Sequence, residues 1–217
     1  MSITMTTENG NVKIYMAGSG ALTIDWGDGT DKETHTLLEH NSDWSDREWN
    51  DQFAYTHDYS DASSHTITIA GINITHLKCS GNELTCLDVG QNAALTNLDC
   101  WCNQLTSLDV SQTPSLIQLS CAFNQLTSLD VSKNTALIQL SCAFNQLTSL
   151  DMSKNTALIH LDCDRNLLTA QALNTLFGTL HDTPRTKTVS IGDNPGTVDC
   201  NKRIAEKKKW TLLNLID

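Results

Sequence analysis

Three side chains that could bind a metal ion alternate near the carboxyl end of the chain: His160, Asp162 and Asp164. Residues two apart on a strand share one face, so all three are predicted to project from an exposed surface. Imidazole and carboxylate groups placed in this way could hold a hard or borderline cation. A solvated polar strand edge explains the same residues without a metal, and we expect neither a metal nor a cofactor.

Five cysteines fall at a regular spacing of 21 residues: Cys79, Cys100, Cys121, Cys142 and Cys163. A zinc clamp uses closely spaced pairs such as C-x-x-C, so this spacing indicates a structural repeat instead. On stacked parallel strands these side chains lie side by side and do not face one another as a disulfide requires. We therefore predict buried free thiols, with Cys102 as an apolar filler and no assigned role for Cys86 or Cys200.

The familiar catalytic motifs are absent from the sequence. It contains no H-E-x-x-H, no G-x-S-x-G, no P-loop and no dinucleotide fingerprint. The serine in Gly18-Ser-Gly20 lacks the strand, turn and helix that would make it a nucleophile, and no cysteine has a histidine partner in the sequence pattern. We predict that the chain is not an enzyme.

A 21-residue repeat must position these side chains. The segment that begins at Leu116 returns almost unchanged from Leu137 and recognisably from Leu95, Leu158 and Ile74, which gives five units. Apolar residues alternate at period 2 in each unit, as a strand with one buried face requires. Two polar columns are predicted to satisfy backbone groups at the turns. They are Asn82, Asn103, Asn124, Asn145 and Asn166, and Asp88, Asp109, Asp130 and Asp151.

Each unit resembles the leucine-rich-repeat pattern L-x-x-L-x-L-x-x-N-x-L, with cysteine in the third apolar place. The resemblance covers residues 74 to about 168 and implies a solenoid whose concave sheet of parallel strands meets partners. The return half of each coil has the wrong length and composition for a helix, so we expect a second short strand there. The candidate ligand-binding residues of the concave face are His76, Lys78, Asn97, Asp99, Trp101, Gln118, Gln139, His160, Asp162 and Asp164.

The first 71 residues do not follow this period. The segments 21–30 with a W-G-D-G turn, 55–59 with an H-x-Y pattern and 65–71 resemble the strands of a PKD-like immunoglobulin-type β-sandwich. The resemblance implies a short β domain with Trp26 in its core. A long polar stretch at 39–51 carries Trp44 and Trp49, which are candidates to stack on a sugar or a partner. Alternatively, both tryptophans pin this loop to the sheet.

The last 49 residues also depart from the repeat. Apolar residues at helical spacing follow Thr169, a strand is expected at 188–191, and a final helix is expected from Ile204 to Trp210. This end resembles the carboxy-terminal cap of bacterial repeat proteins. The predicted fold is therefore mostly β. It divides into a PKD-like domain at 1–71, repeats at 72–168 and a helical cap at 169–217.

Charge and hydropathy argue against nucleic-acid binding and against a membrane-spanning helix. The net charge of −11 opposes binding to nucleic acid, and no apolar run approaches the roughly 20 residues of a membrane-spanning helix. The start at Met1 shows no signal-peptide pattern. Leucine-rich repeats joined to PKD-like domains resemble bacterial surface or secreted proteins. We therefore predict a monomeric protein-interaction or adhesion module, extracellular or on the cell surface, that binds a protein or, alternatively, a glycan.

Overall fold

The computed structural model describes residues 2–40, 49–61 and 63–213. Over these residues the chain is mostly β, and its strands form one sheet of five strands and one of nine. The larger sheet contains the parallel strands of the repeats. The predicted mostly β class and the solenoid of stacked parallel strands are therefore confirmed.

Six strands precede the repeats. They are β1 at Ser2–Thr7, β2 at Asn11–Gly18, β3 at Ala21–Asp25, β4 at Glu33–Thr36, β5 at Ala54–Asp58 and β6 at His65–Gly71, with a 3₁₀ turn at Asp51–Phe53 before β5. Trp26 is buried, as predicted. The tight turn after it requires glycine at Gly27, where φ is 81° and a Cβ atom would lie 2.3 Å from the carbonyl oxygen of Thr66.

One short strand from each coil stacks in register on the next. These strands are β7 at Ile74–Lys78, β9 at Asn97–Asp99, β10 at Gln118–Ser120, β11 at Gln139–Ser141 and β12 at His160–Asp162, while β8 at Cys86–Asp88 lies in the return half of the first coil. The register aligns one buried leucine per coil: Leu77, Leu98, Leu119, Leu140 and Leu161. This alignment explains the 21-residue period, because each turn of the solenoid adds one equivalent strand.

The repeated cysteines and aspartates occupy the places that the sequence predicts. All five cysteines of the column are buried and free, and burial raises the pKa of the Cys121 thiol to about 12. The aspartates accept backbone hydrogen bonds from the residue two positions on, for example at 2.8 Å from the nitrogen of Ser111 to Asp109. Both columns are therefore structural.

The asparagine column forms a buried hydrogen-bond ladder between coils, as predicted. The side-chain nitrogen of Asn124 donates to the carbonyl oxygens of Cys100 at 3.0 Å and Cys121 at 3.1 Å, and its oxygen accepts from the nitrogen of Leu105 at 3.0 Å. A second ladder was not predicted. In it the side chain of Asn134 donates to the carbonyl oxygens of Val110 and Thr113.

The expected second strand forms only in the first coil among the described residues. There β8 pairs with β1, whereas the equivalent segments of the later coils contain no regular strand. The prediction of a strand in every return half is therefore wrong. The later coils have no β1 beside them to complete a ladder.

Both sheets continue from the amino-terminal strands into the solenoid. The five-stranded sheet has the order β4-β3-β6-β1-β8, and β2 pairs antiparallel with β7 in the larger sheet. Asn82 strengthens this junction. Its side-chain oxygen accepts a hydrogen bond from the backbone nitrogen of Lys13, and its side-chain nitrogen donates to the carbonyl oxygen of Lys13. Its backbone carbonyl oxygen accepts from the hydroxyl of Thr7. The division at residues 71 and 72 stays a prediction, and a single buried core spans both sides of it.

Two helices and two more strands follow the last repeat. They are α1 at Ala170–Thr179, β13 at Lys187–Ser190, α2 at Arg203–Lys207 and β14 at Trp210–Leu213. The prediction of a helix from Ile204 to Trp210 is wrong at its end, because Trp210 lies in β14. Strands β13 and β14 pair in parallel and extend the larger sheet beyond β12.

Candidate interaction surfaces

The concave face of the solenoid contains an open cavity of about 480 Å³ over strands β10 to β13. Its polar lining comes from Gln118, Ser120, Gln139, Ser141, His160 and Asp162, with Thr188 and Ser190 of β13 beside them. Leu213 of β14 adds an apolar side chain at one end. The cavity thus offers uncharged hydrogen-bonding groups between apolar surface from Leu119, Leu140 and Leu161.

A row of amides orders the floor of this surface. The side-chain nitrogen of Asn97 donates to the side-chain oxygen of Gln118 at 2.7 Å, and the nitrogen of Gln118 donates to the oxygen of Gln139 at 3.1 Å. Because each amide orients the next, the row is organised before any ligand arrives. Asn97 itself is buried, and the two glutamines are half-buried.

The polar residues at the far end of the cavity form hydrogen bonds with side chains of neighbouring strands. His160 shares a hydrogen bond of 2.8 Å with the hydroxyl of Thr188, and the hydroxyl of Ser141 donates to Asp162 at 3.3 Å. The prediction that Asp164 projects from this face is wrong. It follows the end of β12, is 2% exposed and accepts a hydrogen bond from the backbone nitrogen of Gly192.

Burial and the neighbouring carboxylate of Asp162 raise the pKa of Asp164 to about 6. With Asp164 turned inward, the predicted trio with His160 and Asp162 does not form an open cation site. Within residues 2–40, 49–61 and 63–213, no group of three or more histidine, cysteine, aspartate or glutamate side chains could hold a metal ion.

The opposite end of the concave face lies beside the amino-terminal strands. Lys78 and Asp99 form an ion pair at 3.8 Å. His76 is half-buried, and desolvation followed by the nearby His40 lowers its pKa to about 4. The imidazole of His76 is therefore neutral at physiological pH.

Trp49 belongs to an aromatic cluster against this end of the sheet. It stacks on His40 with ring centroids 4.6 Å apart and meets Phe53 edge-on at 5.5 Å. Only 9% of Trp49 is exposed, so its ring does not stand free to stack on a sugar, and the alternative in which Trp49 packs against the sheet agrees with the structure. Trp44 lies outside the described residues.

Trp101 is exposed, as predicted, and begins a row of side chains that the sequence analysis missed. Its ring contacts Phe123 at 5.3 Å, Phe123 stacks on Phe144 at 3.8 Å, and the guanidinium of Arg165 lies 4.7 Å from the centre of the Phe144 ring. We call these four residues the aromatic ladder. Cys102, predicted to be an apolar filler, is exposed beside it.

The solved structures of two bacterial proteins are similar to this chain. One is the functional domain of InlJ from Listeria monocytogenes, which is described as including a cysteine ladder. It is 34% identical with a TM-score of 0.48, and the match covers 64% of this chain and 34% of that chain. The other is a leucine-rich-repeat protein of Leptospira interrogans. It is 26% identical with a TM-score of 0.48, and the match covers 58% of this chain and 33% of that chain.

This chain therefore matches about a third of the length of each of those chains. No protein-family model and no curated protein matches the sequence. The 21-residue units stack their parallel strands into a solenoid. Among the residues that the structure describes, none of the helices has the length and apolar content needed to span a membrane.

Proposed function

We propose that the chain is a non-enzymatic binding module that holds a polypeptide on its concave face. The observation that carries this proposal is the open cavity over β10 to β13, with its row of ordered, uncharged amides and hydroxyls. Such groups pair with the backbone amides of a polypeptide without the cost of desolvating a charge. The module acts by adhesion or protein interaction and uses no cofactor.

The setting that we propose is the surface or secreted fraction of a bacterium. This part of the proposal rests on the sequence resemblance to leucine-rich repeats joined to PKD-like domains. A glycan is the second candidate partner, because Trp101 is 42% exposed beside the concave face. Trp49 does not support a glycan partner, since its ring is packed against His40 and Phe53.

The cavity can be blocked by enlarging its small side chains. Ser120 and Ser141 line it at equivalent positions of neighbouring coils, so the double variant Ser120→Tyr, Ser141→Tyr places two rings in the binding space. The matched control is Ser128→Tyr, Ser149→Tyr, which enlarges exposed serines in the return halves of the coils. Binding to arrays of short synthetic peptides and of soluble oligosaccharides is measured for both variants and for the wild type.

We expect the blocked variant to bind the selected peptides about tenfold more weakly or worse, while the control binds as the wild type does. Peptide binding that survives the block contradicts the concave-face proposal. Oligosaccharide binding that is lost on Trp101→Ala, with no peptide bound, favours the glycan candidate instead.

A further inference from the structure

The aromatic ladder runs along the edge of the concave sheet, at the turn that leaves each strand, and is partly exposed to water. Trp101 and Phe123 are both exposed, and Phe144 and Arg165 extend the row through the next two coils. Apolar side chains that form a continuous exposed patch indicate a surface that a partner covers. The ladder therefore differs from a single exposed phenylalanine, which needs no explanation.

Folding does not require aromatic residues at these positions. The backbone is left-handed at the equivalent residue of successive coils, with φ of 68° at Gly81, 56° at Cys102, 55° at Phe123, 53° at Phe144 and 50° at Arg165. Glycine and asparagine adopt this conformation at lower cost than phenylalanine, and the first coil has Gly81 there. Bulky residues held in a strained conformation at the surface indicate a functional position.

The way the rings pack limits what they can bind. Phe144 has Phe123 against one face and the guanidinium of Arg165 against the other. Phe123 has Phe144 on one side and Trp101 of the preceding coil on the other. Because a sugar stacks on a ring face, the two phenylalanines offer little to a glycan. Their exposed edges carry positive partial charge and suit carbonyl oxygens, aromatic faces and aliphatic groups, which a polypeptide supplies.

The charges around the ladder support a polypeptide partner. Arg165 is neutralised by Asp193 at 2.8 Å, and the exposed column beside the rings is made of the neutral Gln104, Gln125 and Gln146. A core of aromatic residues and arginine with few other charges is typical of protein interfaces. The net charge of −11 on the whole chain attracts a basic partner at long range.

From these observations we infer that the aromatic ladder is the docking site for a polypeptide segment that presents apolar side chains beside basic residues. The inference rests on the proposed function, since it names the contact residues and the partner chemistry of the same binding module. The apolar side chains and backbone carbonyl groups of the segment contact the ring edges, and its basic residues respond to the field of the acidic chain.

The test replaces both phenylalanines by a residue that the left-handed backbone accepts. The variant Phe123→Asn, Phe144→Asn removes the rings, and Thr127→Ala, Thr148→Ala is a control at exposed positions of the same coils. The probes are a labelled peptide of lysine with leucine and phenylalanine, and the same peptide with serine in place of every apolar residue. Fluorescence anisotropy gives the affinities at low and at physiological salt.

We expect the wild type and the control to bind the apolar peptide and not the serine peptide. The asparagine variant should bind about tenfold more weakly or worse. Its Tm should stay within about 4 °C of the wild type, because relief of the left-handed strain offsets the lost ring contacts. If the double variant does not melt cooperatively, Phe123→Gly, which copies Gly81 of the first coil, supplies the same comparison.

The outcomes separate this inference from the proposed function. Apolar-peptide binding that survives the asparagine variant and is lost in Ser120→Tyr, Ser141→Tyr overturns the ladder and leaves the concave-face proposal intact. Oligosaccharide binding that depends on Trp101, with no peptide bound, overturns both. Sedimentation that shows a dimer of the wild type and a monomer of the asparagine variant makes a second copy of the chain the occupant, and this overturns the proposed basic partner.

Discussion

At the scale of single residues, Asp164 combines a buried position with two acidic neighbours. It follows β12, accepts a hydrogen bond from the backbone of Gly192, and has Asp162 and Asp193 nearby. Burial is the largest cause of its raised pKa, followed by the charge of Asp162. Water is excluded from this carboxyl group, so its charged form lacks the solvation that an exposed aspartate has.

The raised pKa of Asp164 predicts a stability change with pH. Its folded-state pKa of about 6 lies above the ordinary value near 3.9, so the folded chain holds this proton more tightly and loses stability as pH rises from about 4 to 6. We expect Asp164→Asn to stabilise the chain at pH 7.5 by roughly 1–3 kcal/mol. The gain should shrink towards pH 4, as measured by urea unfolding across that range.

The control is Asp109→Asn, for which the change in stability with pH should have the opposite sign. The pKa of Asp109 is lowered by its hydrogen bond from the backbone of Ser111, so its charge favours the folded state above the ordinary pKa. Asp109→Asn should therefore lose stability relative to the wild type as pH rises. A gain for Asp164→Asn that is the same at pH 4 and pH 7.5 would show that ionisation of Asp164 is not its cause.

At the scale of the repeat elements, buried amides join each coil to the next. The Asn124 side chain donates to the carbonyl oxygens of Cys100 and Cys121 and accepts from the backbone nitrogen of Leu105. These backbone groups lie where the chain leaves the strand and have no neighbouring strand to pair with. The asparagine ladder thus satisfies the polar groups that a turn in the core exposes.

Removing one amide of this ladder should destabilise the whole chain. Asn124→Ala leaves several buried backbone groups without a partner, and each such group costs about 1–3 kcal/mol. We expect a loss of at least about 3 kcal/mol in the free energy of unfolding, measured by urea denaturation. The control is Gln125→Ala at the exposed neighbouring position, where a change within about 0.5 kcal/mol is expected. Equal effects of the two substitutions would contradict a structural role for the ladder.

The repeated columns were predictable because a fixed period reveals which residues occupy equivalent places. The burial of Cys121, the role of Asn124 and the turn at Asp109 all follow from that period together with the chemistry of each residue. The period does not say which way a side chain points after its strand has ended. For that reason Asp164 was assigned to the surface and Cys102 to the interior.

The aromatic ladder escaped the sequence analysis for the same physical reason. A strand alternates its side chains between two faces, but Phe123 and Phe144 follow the strand at residues with left-handed backbone, where alternation no longer holds. The sequence does show two phenylalanines one repeat apart and aligned with Arg165, and this alignment is the pattern that could have predicted the ladder. Trp210 was misplaced because its pairing with β13 depends on a contact that no local pattern encodes.

At the scale of the whole molecule, the amino-terminal strands and the repeats share both sheets. Strand β1 pairs with β8 of the first coil, and β2 pairs with β7, the first strand of the concave row. One buried core contains residues from both parts, such as Ile14 and Leu119. The amino-terminal strands therefore cover the end of the solenoid that would otherwise expose an unpaired strand edge.

This continuity predicts that the two parts unfold together. Ile14 is fully buried in β2, and Ile14→Ala should cost roughly 2–5 kcal/mol through lost burial and a cavity. If the sheets couple the two parts, the variant keeps one thermal transition at a lower Tm, and hydrogen exchange accelerates at the amides of β10 and β11 as well as β2. Glu8→Ala, in the exposed turn before β2, is the control and should leave both unchanged. Exchange that accelerates only before residue 72 would instead identify an independent domain at 1–71, because a separately folding unit can lose stability without changing the solenoid.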